Sequence, residues 1–420
     1  MTALADRPTP GAGWSAPDRP ALRRCLGTDP DEFAERHWGR APLLRRAVPG
    51  GFADLLTLAD VDELLSRRGL RTPFLRVARD GAVLSSEQFT RGGGVGAEIA
   101  DQVADDKVAR LFDQGSTLVL QGLHRLWPPL IDFAGALGVD LGHPVQVNAY
   151  VTPPSSQGFA AHYDVHDVFV LQIAGQKRWM VHEPVHADPL RSQPWDRHRR
   201  AVEERAEEEP TLEAVLSPGD ALYLPRGYLH SAKALGEVSA HLTVGVHVLT
   251  RYALVEALLA LAGDDPSLRS TLPLGIDVSD PDQIASHLTA TVEALGRVLG
   301  SVSAEDVAGR VRNRVWAGAR PEPLGPLAQA SAAASVSGGD LVRLRGGQRY
   351  RVSVRGDRVL LDVPGDQISL PGDTAPAVEA LLSGDVQTIG MLPGLTVADQ
   401  TVLVRRLLRE GILVPVGAGA

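Results

Sequence analysis

The sequence predicts a mixed α+β protein: an antiparallel β-barrel or jelly roll, then a helical module, then a tail with the pattern of a winged helix. Three observations predict it. Residues 145–248 run as short apolar stretches rich in Val, Leu, Phe and Tyr, separated by turns such as TPPSSQG, SPGD and LPRG. After Thr250 the apolar residues recur at three- and four-residue spacing through RYALVEALLALAG, PDQIASHLTATVEALGRVLG and SAEDVAGRVRNRVWAG. The last 80 or so residues alternate strand-like RYRVSVRG, RVLLDVPG and DQISLPG with a helical APAVEALLSG and a final TVADQTVLVRRLLREGILVPV, a helix running into glycine and a short strand.

The elements divide the chain into four expected parts. Residues 1–27 read as a flexible arm, without the charged start and continuous apolar core of a signal peptide. Residues 28–249 form the barrel domain. Within it, TDPDEFAERHWGRAPLLRRAV reads as a capped helix followed by an extended segment, and LTLADVDELLSRRG as an amphipathic helix closed by Gly69. The mixed-charge stretch DRHRRAVEERAEEEP interrupts the barrel as a solvated loop or helix. Residues 250–322 form the helical module, and 323–420 a linker and the tail. The tract 320–339, RPEPLGPLAQASAAASVSGG, has linker composition.

The 420 residues are enough to bury a substantial core without staples, and the single cysteine, Cys25, excludes an internal disulfide framework and thiolate-rich metal sites. A reducing cytoplasm is the expected compartment. No apolar run is long enough to span a bilayer. With 42 Lys+Arg against 51 Asp+Glu, the net charge of −9 argues against a general phosphate-backbone binder, so direct nucleic-acid binding is not expected.

The chemistry concentrates in GFAAHYDVHDVFVLQIAGQKRW, residues 158–179. On a strand, residues i and i+2 share a face about 6.6 Å apart, so His162 and Asp164 can converge on one ion. His166 would lie about 13 Å from His162, too far for a third ligand. The turn-bounded SPGDALYLPRGYLHSA delivers a candidate third ligand, His230. Two imidazoles and one carboxylate make the facial set used by non-haem Fe(II) oxygenases, with positions left for a chelating cosubstrate and O2. Alone, either His162 or Asp164 can instead be a satisfied buried polar residue or face solvent. Lys177 is either an exposed turn residue or a barrel-interior cation that needs an anion, such as a dicarboxylate, to offset its desolvation. Asn148 and Tyr150 alternate on the NAY strand and can face the same cavity or satisfy core hydrogen bonds. His166 is read as a packing or rim residue, Asp167 is left with it outside the metal ligands, and His241 and His247 are read as core residues or supports behind the ligands.

Together, NAYVTPPSSQGFAAHYDVHDVFVLQIAGQKRW, LYLPRGYLHSA and SAHLTVGV resemble the JmjC-type ribosomal oxygenases, Fe(II)- and 2-oxoglutarate-dependent protein hydroxylases with a double-stranded β-helix (cupin) core. FAERHWGRAPLL, the helical module and the tail follow that family's order of a JmjC barrel, a dimerising helical region and a winged helix. The resemblance implies that His162, Asp164 and His230 bind iron and that Lys177 holds the far carboxylate of 2-oxoglutarate. It further implies that Asn148, Tyr150 and Thr243 line the cosubstrate pocket, and that the protein is a homodimer. Lys177 and TPPSSQGFAAHYD are closer to the histidyl than the arginyl hydroxylases, so the expected target is a histidine of a ribosomal protein. Gly245 departs from that pattern, because the histidyl enzymes carry serine there. Hydroxylation of a ribosomal-protein arginine, a peptide or a small molecule is the alternative. A non-catalytic cupin that only binds a ligand is the reading from another class.

Overall fold

Nine strands, all paired antiparallel, build the main sheet: β1 (Leu43–Arg45), β2 (Leu75–Arg79), β3 (Ala82–Val83), β4 (Thr117–Leu120), β5 (Val145–Thr152), β6 (Asp167–His182), β7 (Leu212–Leu216), β8 (Ala221–Leu224) and β9 (Leu229–Val246). The order across the sheet is β1-β8-β6-β9-β5-β4-β2-β3, with β7 also paired to β6. The computed structural model describes residues 18–46, 51–79, 81–318 and 320–417. They fall into two compact units that divide between His247 and Val248.

The two longest strands, β6 and β9, form the spine. They pair twice, His182 to Gln176 against Leu229 to Leu235, and Ala174 to Asp167 against Ala240 to Val246, with register shifts between. Lys177, for which the sequence left an exposed turn open, therefore lies inside one long strand bent at an irregularity. Gly175 makes the bend possible: its φ is +57°, and a Cβ there would lie 2.1 Å from the Val238 carbonyl oxygen. Buried Gln172 ties the bend down, its amide donating to the carbonyls of Ala174 and Gly175 and to the Ser239 hydroxyl.

Alternation then sorts the residues. On β5, Val147, Ala149 and Val151 are buried on one face, while Asn148, Tyr150 and Thr152 share the other. On β9, His241, Thr243 and Gly245 pair with Tyr150, Asn148 and Gln146 and so join that second face. An apolar core of Val168, Val170, Trp179, Val181, Leu222 and Leu224 fills the interior between β6 and β8.

The helix Pro30–Arg36 starts at Asp29, whose side chain accepts from the Asp31 amide, and it buries Phe33. The Phe33 ring stands edge-on to Tyr223, with centroids 4.9 Å apart, and Phe169 lies 5.0 Å from the same tyrosine. A further helix, Pro20–Leu26, lies within the stretch expected to be an arm. Leu22, Cys25 and Leu26 are buried, and the Leu22 amide donates to Asp140. The arm expected over residues 1–17 lies outside the described residues. The interrupting charged stretch contains the helix Arg199–Ala206, anchored by fully buried Val202.

The second unit opens with helices Arg251–Ala262, Pro281–Ser301 and Ala304–Gly318. The tract expected to be a linker includes the helix Pro326–Ser335, because its alanines favour helix over coil, and the Gln329 amide bonds the carbonyls of Leu408 and Leu413. Strand Leu341–Leu344 pairs with Gln387–Thr388 and with Leu413–Pro415, and strands Arg351–Arg355, Arg358–Val363 and Asp366–Pro371 form a separate meander. Helices Ala375–Leu382 and Val397–Arg409 contribute to their common core through Val378, Leu381, Val404 and Leu407. Among the described residues, no helix is long and apolar enough to cross a membrane.

Candidate metal centre

His162 and Asp164 do not sit on a strand, which corrects the reading of residues 158–166 as a strand interior. They lie in an extended segment before β6 that pairs with β9 only through isolated bridges, Gln157 opposite Lys233 and His162 opposite His230. The His230 amide donates to the His162 carbonyl (2.8 Å) and the His162 amide to the His230 carbonyl (3.2 Å). Side-chain alternation survives: Tyr163, between the two candidate ligands, is buried the other way beside Val202 and Leu229. Asp164 is held by its own carbonyl, which accepts from the Gly227 amide at 3.0 Å.

One ligand atom from each of His162, Asp164 and His230 lies within 4.8 Å of the others. His230 Nε2 is 3.8 Å from Asp164 Oδ2, and the two imidazole centroids are 4.5 Å apart. Each ring is oriented from behind. His162 Nδ1 is 2.8 Å from the Ala160 carbonyl oxygen, and His230 Nδ1 is 3.2 Å from that of Tyr228. A carbonyl can only accept, so each Nδ1 carries a proton, the tautomer that in a neutral ring presents the Nε2 lone pair to a metal. Burial, reinforced by His162, pushes the His230 pKa down to about 4, so the ring is neutral at pH 7. Burial works against charge on Asp164, but His166, His230 and His162 outweigh it and hold the carboxyl below the usual carboxylate range. Two imidazole nitrogens and one carboxylate oxygen fit a divalent first-row metal.

Lys177, on β6, is buried at 3% exposure. Its Nζ donates to Thr152 Oγ1 at 3.0 Å and to His241 Nδ1 at 3.2 Å. Among the described residues no carboxylate pairs with it, and burial alone pulls its pKa down to about 7. His241 is kept neutral by burial and by that lysine, and Tyr150 stacks on it at 5.0 Å with the rings 6° from parallel. Burial and then Asp164 push the Tyr150 hydroxyl up to about 12, so it remains a donor. Trp179 links the two halves of the site, 6.0 Å from the His230 ring and 5.3 Å from His241.

Asn148 and Thr243 stand directly opposite each other on β5 and β9. The Asn148 side-chain oxygen accepts from the Gly122 amide at 3.0 Å, leaving its NH2 for other contacts. Thr152 and the pairing of His241 with Lys177 were not singled out from sequence. The signal was present, since Thr152 is i+2 from Tyr150 and i+4 from Asn148 on one strand face. His166 stacks on His247 at 5.5 Å and stays outside the converging group. Its ring covers Gly245, where a Cβ would come within 2.7 Å of His166 Cδ2 and Nε2. Asp167 is fully buried and bonded to Tyr223 and the Arg226 amide. A separate cleft of about 550 Å³, lined by Arg79, Gln114, Gln157 and Lys233 among others, contains none of the converging ligands.

The fold is that of a JmjC/cupin domain, and in it Trp179 contacts both His230 of the two-histidine, one-carboxylate group and His241, the partner of the buried lysine. Residues 138–254 match the model of the JmjC domain. The chain is 31% identical over 283 residues to ribosomal oxygenase 1 of Gallus gallus, an alignment that covers 64% of this chain and 45% of the relative. It is 30% identical over 292 residues to the bifunctional lysine-specific demethylase and histidyl-hydroxylase NO66 of Aedes aegypti, covering 63% and 43%. The chain thus spans less than half the length of these curated relatives. The solved structure of the ribosomal oxygenase YcfD from Escherichia coli, in complex with cobalt and 2-oxoglutarate, shares the fold with a TM-score of 0.51 at 19% identity, covering 93% of this chain and 99% of YcfD.

Proposed function

We propose that the chain is an Fe(II)- and 2-oxoglutarate-dependent oxygenase that hydroxylates a protein side chain. One observation carries the reading: the donor set His162, Asp164 and His230 is joined through the Trp179 ring and His241 to a buried lysine that has no carboxylate partner among the described residues. In this reading the three side chains hold iron through two Nε2 atoms and a carboxylate oxygen. Lys177, with the Thr152 hydroxyl beside it, receives the far carboxylate of 2-oxoglutarate, whose negative charge restores the ammonium that burial otherwise disfavours. Asn148, Tyr150 and Thr243 line that end of the pocket. The bound iron, with 2-oxoglutarate and O2, supplies the oxidising power: one oxygen atom enters a substrate C–H bond as hydroxyl while 2-oxoglutarate becomes succinate and CO2. The protein's part is orientation and exclusion of water, for which Phe159, 6.2 Å from His162, and Trp179 supply apolar walls. No side-chain base is required.

The inferred target is a histidine of a ribosomal protein. Supporting it are the histidyl-hydroxylase name of the NO66 relatives, the lysine at 177 and the TPPSSQGFAAHYD segment. Arginine is the second reading, favoured by Gly245, which stands where the histidyl enzymes carry serine and is covered by His166. The helical module is read as a dimerising element, supported by the exposed Tyr252, Leu254, Leu259, Leu288 and Val292. The end of the chain, three helices around a three-stranded sheet, is read as a winged helix used for protein contact rather than for nucleic acid, and the protein as cytoplasmic. The test is succinate release by the purified chain with Fe(II) and 2-oxoglutarate, lost in His162→Ala. Mass analysis of ribosomal proteins from cells with and without the gene is expected to show a +16 Da change on one peptide. Absence of succinate overturns the oxygenase reading, and absence of the +16 Da change moves the target to a peptide or small molecule.

A further inference from the structure

Asp167 is a buried carboxylate that the chemistry above does not use. It is 0% exposed at the first position of β6, three residues after Asp164. Its Oδ2 accepts from the Tyr223 hydroxyl at 2.5 Å, and its Oδ1 accepts from the Arg226 amide at 3.1 Å with the Arg226 guanidinium 3.6 Å away. Both partners are fixed in turn. The Tyr223 hydroxyl accepts from the Gly39 amide at 2.8 Å, and the Arg226 guanidinium donates to Asp188 at 2.9 Å.

What Asp167 holds is the 225–228 turn, and that turn reaches two of the three candidate ligands. Gly227, next to the clamped Arg226, donates its amide to the Asp164 carbonyl at 3.0 Å. Tyr228 then offers the carbonyl 3.2 Å from His230 Nδ1, which sets that ring's tautomer. The turn has no slack, because Gly227 has φ +90° and a Cβ there would lie 2.9 Å from the His186 carbonyl oxygen.

We propose that Asp167 is a positioning residue for the metal centre: by clamping the Arg226 amide and the Tyr223 hydroxyl, it sets the separation and orientation of Asp164 and His230. The proposal rests on the metal assignment made above. An asparagine keeps the size but exchanges one acceptor oxygen for an NH2, which must face either the Tyr223 hydroxyl or the Arg226 N–H, and it leaves the Arg226 cation without its buried counter-charge.

The experiment is titration of the full-length, metal-free chain with Co(II), following both affinity and the visible absorption that reports coordination geometry. Asp167→Asn, shown folded by circular dichroism, is expected to bind Co(II) about 10–100-fold more weakly with an altered spectrum. Wild-type affinity and spectrum in folded Asp167→Asn overturn the proposal. Should that variant not fold, Tyr223→Phe removes one clamp bond only. A Co(II) affinity between the wild-type value and that range supports the proposal, and an unchanged one overturns it. Failure of the wild-type chain itself to bind Co(II) overturns both this proposal and the metal assignment, whereas normal wild-type binding with indifferent variants overturns this one alone.

Discussion

Replacing Lys177 with methionine should stabilise the protein when no cosubstrate is present. Burial lowers the lysine pKa from the ordinary 10.5 to about 7, so between those values the unfolded chain binds a proton that the folded chain does not. Stability therefore rises with pH across that window, and the full penalty applies below its lower end. At about 1.4 kcal/mol per pKa unit, the lysine costs the folded state roughly 4 kcal/mol at pH 7 and roughly 2 kcal/mol at pH 9. Methionine removes that cost but leaves His241 Nδ1 without its donor, a loss of about 1–3 kcal/mol, while Thr152 keeps Thr117 as a partner at 3.2 Å. Lys177→Met should thus melt a few degrees higher than wild type at pH 7, and the gap should narrow by about 2 kcal/mol on moving to pH 9. Thermal unfolding of metal-free protein across pH 6–9 measures this, and repeating it with Mn(II) and 2-oxoglutarate should stabilise wild type but not the variant. A gap that stays constant with pH, or cosubstrate that stabilises both proteins equally, would refute the argument that an unpaired buried cation awaits a carboxylate.

The remaining expectations concern other residues. His230→Ala and His162→Ala should each lower Co(II) affinity by at least about 100-fold and abolish succinate release, with little change in the melting of metal-free protein, checked by titration and calorimetry. Gly175→Ala should destabilise the first unit by about 2–4 kcal/mol in denaturant unfolding, because the added methyl meets the Val238 carbonyl in a left-handed backbone. Gly245→Ser should cost about 1–3 kcal/mol by expelling the His166 ring, and adding His166→Ala should recover most of that loss, a coupling that a double-mutant cycle reads directly.

Much of this was legible because the site uses short-range rules. The HxD spacing and the turn-bounded LPRGYLH segment pointed to three side chains that do converge. Geometry carried by long-range pairing was not legible. Nothing local in GFAAHYD distinguishes a strand from an extended segment pinned by isolated bridges, since the partner of His162, His230, lies 68 residues away in sequence. The continuity of β6 through AGQ was equally hidden, because glycine after alanine reads as a turn unless the opposing strand is known to bulge at the same place. Linker composition misled at 326–335, where a run of alanines packs as a helix once Leu408 and Leu413 offer carbonyls to Gln329. The partners of Lys177 were missed because Thr152 and His241 come from two different strands.

The bridge between His162 and His230 also bears on how the site can fail. Because the two imidazoles project from residues that exchange both of their amide hydrogen bonds, the spacing between them is quantised by backbone pairing rather than tuned by side-chain reach. A slip of one residue in either segment would turn one imidazole to the opposite face. Damage to this region should therefore produce mixed populations of fully loaded and empty molecules instead of a uniform population with weakened affinity.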